Sequence, residues 1–567
     1  MKRNLRQLAD RHYDVVIVGG GVYGAALARE STLGGLSTAL VEKGDFCSAT
    51  SASSLKIIHG GLRYLQQLDF SRLRNSVTER RAFLRTAPHL VHPLPCVMPT
   101  QGHLMKGREA MFCGLLMNEI LSCDRNQLKD PEKFIPRGRL VSRATVGRLV
   151  PGLATDRFTG GCAWHDAYTY NSERLVTAMV RDAVDSGCTA ANYARVTGFQ
   201  QSGSRITAVC VHDELNNSDF DIPAKLVINA AGPWVNEVLA LLDRRPAAAV
   251  CGLALGLNVV LARQLLPSSA AGLPFRRRAG ESQRLLFLMP WRGQTLAGTY
   301  YRPHTGPADA LAVTEADIEM LLADLAHAYP AAAIKRGDVA AILAGLLPVQ
   351  HDRLVNDEPV LANHFSIIDH ARRDAIEGLI SVVGVKYTTA RDVAARTLSM
   401  ALAKLGRRHR SSGSDRRLLP GGAIPDFKAF LEQAGTAPFG SLPPAIAEHL
   451  AYNFGTELRA VLDLGNSQPA LLTPLAASTP VIGAEVAFAA REEMAMTLAD
   501  IVFRRTDLGS AGRPAAAALD AASRIMAAEC GWDETRRGNE VRQVGSAPLF
   551  GDRPPCPVPG LQRRNGG

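Results

Sequence analysis

A short apolar run, Asp14-Val15-Val16-Ile17-Val18, leads without a gap into Gly19-Gly20-Gly21-Val22-Tyr23-Gly24 and then into Ala25-Ala26-Leu27-Ala28-Arg29-Glu30. The run is rich in β-branched residues, as a parallel strand buried on both faces requires, and the residues after Gly24 read as a helix. Strand, G-x-G-x-x-G and helix in that order leave few folds open. Gly19 allows the tight turn, Gly21 lets backbone approach a pyrophosphate, and Gly24 lets the helix pack closely on the strand. The helix N-terminus then offers free N–H groups and a positive dipole end to phosphate. A second strand, Ser37-Thr38-Ala39-Leu40-Val41, ends at Glu42, eighteen residues beyond Gly24. A carboxylate there accepts both ribose hydroxyls of an adenosine and repels a 2′-phosphate. The pattern predicts a dinucleotide site in a doubly wound sheet and does not separate NAD from FAD.

The chain has 567 residues, too many for one core, and its 46% apolar and 21% charged residues exclude a disordered chain. A net charge of +10 permits an anionic partner, but no aromatic interleaving or motif favours nucleic acid, and none is expected as a partner. The ten cysteines contain no C-x-x-C pair, which argues against a metal centre and a disulfide scaffold. The basic Met1-Lys2-Arg3-Asn4-Leu5-Arg6 start leads into a strand-like run with no small-residue cleavage site. Residues 246–262 fall short of the roughly 20 apolar residues a spanning helix needs. They carry Asn258, Gly252 and Gly256, and are read as buried strand. A cytoplasmic location is expected, with peripheral contact at the cytoplasmic membrane left open.

Beyond Glu42 the chain reads Cys47-Ser48-Ala49-Thr50-Ser51-Ala52-Ser53-Ser54-Leu55-Lys56-Ile57-Ile58-His59-Gly60-Gly61-Leu62-Arg63-Tyr64-Leu65. This block resembles the FAD-dependent, quinone-linked glycerol-3-phosphate dehydrogenases. Further landmarks follow in that family's order: Asn229-Ala230-Ala231-Gly232-Pro233-Trp234, Phe287-Leu288-Met289-Pro290-Trp291, Gly298-Thr299, Gly384-Val385-Lys386-Tyr387-Thr388-Thr389, Leu419-Pro420-Gly421-Gly422 and Arg504-Arg505-Thr506.

The resemblance implies FAD as cofactor, held by Gly19, Gly21, Gly24, Glu42, Thr50, Ser51, Ser54, Ala231, Gly232, Gly384, Lys386 and Thr388. Hydroxyls after the second strand suit the pyrophosphate and flavin edge because they add hydrogen bonds without charge. A helix over 388–405 would direct its N-terminus at the flavin side where reduction places negative charge. The implied reaction is oxidation of a secondary alcohol by hydride transfer to flavin, with membrane quinone as electron acceptor. Arg63, Tyr64, Lys386 and Thr388 would line the substrate site. Lys386 leads as base or alkoxide stabiliser, since a lysine beside flavin can have a lowered pKa. His59 is a second candidate; its alternative is a structural histidine bonded to a backbone carbonyl.

Two substrate positions depart from the family. Leu347 stands where an arginine is expected on the substrate phosphate, and Asn258 where an active-site histidine is expected. Tyr300-Tyr301 and Val385 also replace the family's residues. Arg302, Arg353 or the Arg276-Arg277-Arg278 run could supply an anion site from a new direction. Alternatives are an amine or amino-acid oxidase and a catalytically silent FAD-binding homologue.

The expected architecture is α/β: a Rossmann-type FAD-binding domain interleaved with an α+β substrate domain, then a C-terminal helical domain. Within 12–410, segments 12–70, 150–245 and 340–410 are assigned to FAD, and 71–149 and 246–339 to substrate. A basic linker over 411–424 follows, flanked by Arg407 and Arg408; with the Arg276 run it is a candidate lipid contact. Residues 425–540 read as helices, with 444–464 and 484–503 each continuous, and 545–567 as a disordered tail.

Overall fold

The computed structural model describes residues 1–548, except 104–106, 244–245, 247, 278–282, 356–357, 409, 435–441 and 511 and the side chains of 66–67 and 350–353. Arg278, the Arg353 side chain and nearly all of the expected tail lie outside the described residues.

Tyr13–Val18 is flanked by Ser218–Asn229 on one side and Thr38–Val41 on the other, all parallel. Leu379–Val383 and Thr189–Ala191 extend this sheet in parallel, and Ser366–Asp369 closes one edge antiparallel. Every residue of Tyr13–Val18 is buried, which explains the unbroken apolar run from Val15 to Val18. Val15 and Ile17 face the helices Val22–Leu33, Ser172–Asp185 and Ala390–Lys404. Val16 and Val18 face an antiparallel meander that includes Ala194–Ser202 and Arg205–Asp213. Each such side chain contributes about 1.5–3 kcal/mol on burial.

A second, mostly antiparallel sheet runs Glu358–Leu361, Val339–Val355, Gly252–Leu261, Gln294–His304, Arg284–Trp291, Ala270–Phe275, Val91–Thr100, Gly160–Thr169, Ile57–Ile58. Helix Glu315–Ala328 packs Ile318, Leu321 and Leu325 onto it. Four of these strands, Ile57–Ile58, Gly160–Thr169, Val339–Val355 and Glu358–Leu361, come from segments read as FAD-binding. Gly160–Thr169 pairs with Val91–Thr100 and Val339–Val355 with Gly252–Leu261, both of the substrate segments, so the chain crosses between layers more often than the segment reading allows.

Other expectations also change. A helix, Leu5–Asp10, precedes the first strand because the Asn4 side chain caps Gln7 N–H at 3.0 Å. Within 246–262 the strand is Gly252–Leu261. The helix expected over 388–405 is Ala390–Lys404. The stretch 444–464 breaks after Phe454, where Gly455 adopts φ +54°. A Cβ on Gly455 would lie 2.1 Å from the Gly421 carbonyl, so the Leu419-Pro420-Gly421-Gly422 turn docks there. The stretch 484–503 breaks after Glu492, because Glu493 turns inward to Arg174 at 2.8 Å. Thr497 then caps a new turn that widens into a π-helix over Ile501–Arg505.

The basic linker is tied to the first layer in part. Arg407 pairs with Asp14 at 2.8 Å, Arg417 with Asp182 at 2.8 Å, and Ser412 and Ser414 hydrogen-bond Glu30. Arg416 stays 82% exposed beside Asp415. Among the described residues no helix is long and apolar enough to cross a membrane.

Candidate functional site: a dinucleotide crevice opening on a cationic pocket

Four loops converge at the carboxyl ends of the first sheet's strands, where ligands of open α/β sheets bind. Gly19, at φ +106°, lies so near the end of Ser218–Asn229 that a Cβ would meet Ala230 O at 2.7 Å and Ala231 Cα at 2.8 Å. Gly24 presses its helix onto the same turn; a Cβ there would lie 1.7 Å from Gly19 O. Gly21 is the N-cap of the helix without a side-chain cap, leaving that face to Ser51, whose Oγ accepts Val22 N–H at 3.0 Å. The Glu42 carboxylate accepts Gly20 N–H at 2.6 Å and Gly44 N–H at 2.9 Å, which aims it into the crevice. Burial raises its pKa despite these bonds. Gly232, at φ +55°, opens the turn after Ala231 with nothing within 4 Å of its Cβ position.

The remaining predicted residues extend the crevice toward the second sheet. Thr50 Oγ1 donates to Leu346 O at 2.9 Å and accepts from Leu346 N at 3.1 Å, tying the hydroxyl-rich loop to the second sheet. Ser54 caps Lys56 N–H at 3.1 Å, a local role within the loop. A Cβ on Gly384 would lie 2.0 Å from the Tyr23 ring. The Tyr23 hydroxyl donates to Lys386 O at 2.7 Å and accepts from Lys386 N at 3.1 Å. Burial pushes that phenol up to about 12, so it stays a donor. Thr388 Oγ1 accepts His59 N–H at 3.1 Å. The glycine cradle, the open helix N-terminus, the inward carboxylate and the loop hydroxyls fit an ADP-linked flavin.

Beyond the crevice lies a cationic pocket. Lys386 Nζ sits 4.1 Å from the Tyr64 ring centre and Arg72 4.3 Å from it. Burial, with Arg72 and Arg63 nearby, pushes the Lys386 ammonium down to about 7. Arg63 is exposed, and no carboxylate among the described residues pairs with it. Burial raises the phenols of Tyr64 and Tyr301, while Arg63 opposes the rise in both. Leu347 covers Gly256, where a Cβ would meet Leu347 Cδ1 at 2.7 Å and Tyr301 at 3.5 Å. Asn258 is committed structurally: its Nδ2 donates to Ser53 O at 3.1 Å and its Oδ1 accepts Thr299 Oγ1 at 2.7 Å. Arg302 is bound to Asp317 at 2.6 Å and Arg277 to Asp324, so neither serves as the substitute anion site.

Among the described residues, the His59 ring bonds no backbone carbonyl. Its Nδ1 meets Asp166 Oδ2 at 3.2 Å, and its side chain is 51% exposed. Asp166 was missed by the sequence reading, as were Tyr23 and Arg72. Asp166 lies on Gly160–Thr169, over a hundred residues from His59, and no spacing signal joins them. Tyr23 occupies a free position of the glycine motif, and Arg72 lies on a helix, Phe70–Thr86, rich in other arginines.

Residues 14–387 match the FAD dependent oxidoreductase family, and residues 412–537 match the C-terminal domain of alpha-glycerophosphate oxidase. The chain is 30% identical over 551 residues to a glycerol-3-phosphate dehydrogenase of Synechocystis sp., covering 95% of this chain and 97% of that protein. It is 30% identical over 502 residues to glycerol-3-phosphate dehydrogenase 2 of Mycobacterium tuberculosis, covering 88% and 82%. The fold matches that of the glycerol-3-phosphate dehydrogenase from Bacillus halodurans complexed with FAD, with a TM-score of 0.73 at 22% identity over 96% and 97% of the two chains. The chain therefore belongs to the FAD-dependent oxidoreductase family, as a homologue of its glycerol-3-phosphate dehydrogenases, and FAD is its cofactor.

Proposed function

We propose that the chain oxidises the secondary alcohol of a small polyol phosphate, glycerol 3-phosphate or a close relative, to the ketone. The observation that carries this reading is the pair of cations at the pocket, Arg63 and Lys386, with Tyr64 and Tyr301 beside them. FAD, when bound, accepts hydride from the carbon bearing the hydroxyl. Arg63 and Lys386 hold the phosphate, each charge-assisted hydrogen bond contributing about 1.5–3 kcal/mol. Leu347 and Tyr301 form an apolar wall for the carbon skeleton. Thr388 and the Gly384–Lys386 turn fix the pocket against the crevice through His59 and Tyr23. In the crevice, the Gly19–Gly24 turn, Glu42, Ser51 and Gly232 hold the ADP half.

Leu347 and Asn258, at the positions of an expected arginine and histidine, support a second reading with an amine or amino acid as substrate. Anaerobic bleaching of the flavin absorbance against polyol phosphates, free polyols, hydroxy acids and amines separates them. Bleaching by polyol phosphates at the lowest concentrations is expected. Preferential bleaching by amines, with peroxide released in air, would replace the reading; no bleaching by any compound would leave a silent homologue.

The electron acceptor on this reading is membrane quinone, reached through the helix Arg108–Leu121 and not the linker. That helix exposes Phe112, Leu116, Met117 and Ile120 along one face, 57%, 54%, 41% and 63% accessible. Leu68, in the turn packed beside it, is 73% exposed. Arg108 and Arg137 are exposed near its two ends, which suits anionic lipid. Co-sedimentation with phosphatidylglycerol vesicles tests this: the F112S/I120S variant should lose vesicle binding with unchanged flavin content. Equal binding of wild type and variant would refute it.

A further inference from the structure

The pocket contains one polar assembly that the reading above leaves without a role. His59 Nδ1 lies 3.2 Å from Asp166 Oδ2, and Asp166 Oδ1 accepts Gly60 N–H at 2.6 Å. Arg80 reaches the same carboxylate at 3.2 Å and Trp164 Nε1 at 3.4 Å. Asp166 is only 5% exposed, and Arg80 also donates to His165 O at 2.8 Å. A Cβ on Gly60 would lie 2.1 Å from Arg80, so the backbone lies directly against the guanidinium. The carboxylate is thus held from four directions, and its geometry is imposed on a ring that is itself half open. From the other side, Thr388 fixes the His59 backbone, and the Phe287 ring stands edge-on at 6.4 Å.

We propose that Asp166 is a positioning residue that holds His59 as the general base for the substrate hydroxyl. The proposal rests on the alcohol-oxidation reading above. A carboxylate accepts hydrogen bonds only, so it selects the neutral tautomer with the proton on Nδ1 and leaves the Nε2 lone pair free. In the reaction the hydroxyl proton passes to Nε2 and the O–H electron pair closes the C=O bond. The hydrogen on carbon leaves with its electron pair as the hydride that FAD takes up. Protonated His59 then faces the Asp166 carboxylate. Among the described residues no carboxylate hydrogen-bonds Lys386, whose Nζ stands 4.1 Å from the Tyr64 ring centre, so of the two candidates only His59 has a built partner to face the positive charge it would gain. A carboxylate that orients an imidazole in this way is a recurring device in hydrolases, where it works through the tautomer and not by accepting the proton itself.

The test is anaerobic stopped-flow reduction of the bound flavin, comparing wild type with D166N, H59N and the double variant. Positioned general bases contribute roughly 10²–10⁴-fold. D166N, which keeps shape and the Gly60 contact, should slow reduction about 100-fold with little change in substrate Kd and an unchanged flavin spectrum. The double variant should be no slower than H59N alone, because the carboxylate acts only through the ring. In an H59A background, imidazole should restore reduction, and should fail to do so in H59A/D166N. Reduction of D166N at the wild-type rate, multiplicative losses in the double variant, or equal imidazole rescue in both backgrounds would overturn the proposal. If D166N loses FAD, the rescue comparison with D166E in its place decides. A wild type that no substrate bleaches sinks the alcohol-oxidation reading itself, and a bleached wild type with an unaffected D166N sinks Asp166 alone.

Discussion

Asp45 lies three residues beyond Glu42, and its carboxylate is fully buried against two arginines of the C-terminal helices. Arg505 donates to both its oxygens at 2.8 Å, Arg504 Nε reaches it at 2.6 Å and Asn192 Nδ2 at 3.0 Å. Both Asp45 and Arg505 side chains are 0% accessible. Replacing Asp45 by alanine takes away the ion-pair partner of the buried Arg505, which keeps its bonds to the Glu493 carbonyl, while Arg504 keeps Asp500. Removing one partner of a buried pair costs about 3–5 kcal/mol. For a cooperative unit of the size of the C-terminal module, roughly 2–8 °C per kcal/mol applies, so a loss of about 10 °C or more is expected. The R505M variant should lose less, since Asp45 retains Arg504 and Asn192. The D45A/R505M double variant should recover much of the D45A loss, because removing a whole buried pair is nearly neutral. Thermal unfolding followed by far-UV dichroism and by flavin release measures both ends of this link. Burial would raise the Asp45 carboxyl, but Arg505 and Arg504 outweigh it and hold it below its usual 3.8. Its stabilisation is therefore complete above the unfolded value and is lost as pH falls through the lower folded value. A D45A melting temperature within about 2 °C of wild type, or a double variant no better than D45A, would refute the reasoning.

The G384A variant should purify with little flavin, since its Cβ would lie 2.0 Å from a Tyr23 ring held by Lys386 on both sides; the 450-to-280 nm absorbance ratio measures this. Lys386 carries its charge below about 7 and loses it above. If it holds the phosphate, kcat/KM falls as pH rises through about 7 and K386M abolishes that limb; a falling limb that persists unchanged in K386M would refute that role. N258L breaks the link from Ser53 to Thr299 and leaves Ser53 O without the Asn258 amide, while Thr299 keeps Tyr301, a loss of about 1–3 kcal/mol read by thermal unfolding. A histidine there that raised turnover with glycerol 3-phosphate would show instead that Asn258 limits catalysis.

The glycine turn was legible because glycine is the residue that close backbone approach demands. Gly19, Gly21 and Gly24 each answer to a contact within a few residues or one strand away, and Glu42 ends the strand beside them. The pocket half was legible only as residue types. Thr50 and Ser54 bind protein, Thr50 on the second sheet and Ser54 within its own loop. Asp166 reaches His59 from another sheet strand, and only tertiary pairing brings the two together. The C-terminal helices show the same limit. Residues 484–503 carry a good helical period, yet the buried pair Glu493–Arg174 ends the helix where periodicity would continue it. The reading likewise carried the helix through Gly455, whose partner, the Gly421 carbonyl, is invisible without the fold.

The two departures at the substrate wall also change meaning once placed. Asn258 does not stand as a weakened catalytic group; both ends of its amide are used, one on the cofactor loop and one on Thr299. Leu347 is not an isolated loss either, because Gly256 opposite it leaves the space that the leucine side chain fills, with Tyr301 alongside. A guanidinium built at Leu347 would enter an apolar corner with its own cross-strand packing, and the desolvation cost would fall on a charge with no built partner. Arg63 and Lys386, which no acid pairs among the described residues, come from the turn before the Phe70–Thr86 helix and the loop after Leu379–Val383. On the proposed reading the anion is therefore recognised from the flavin-loop side of the pocket, and the opposite wall, freed of charge, selects the carbon skeleton by shape.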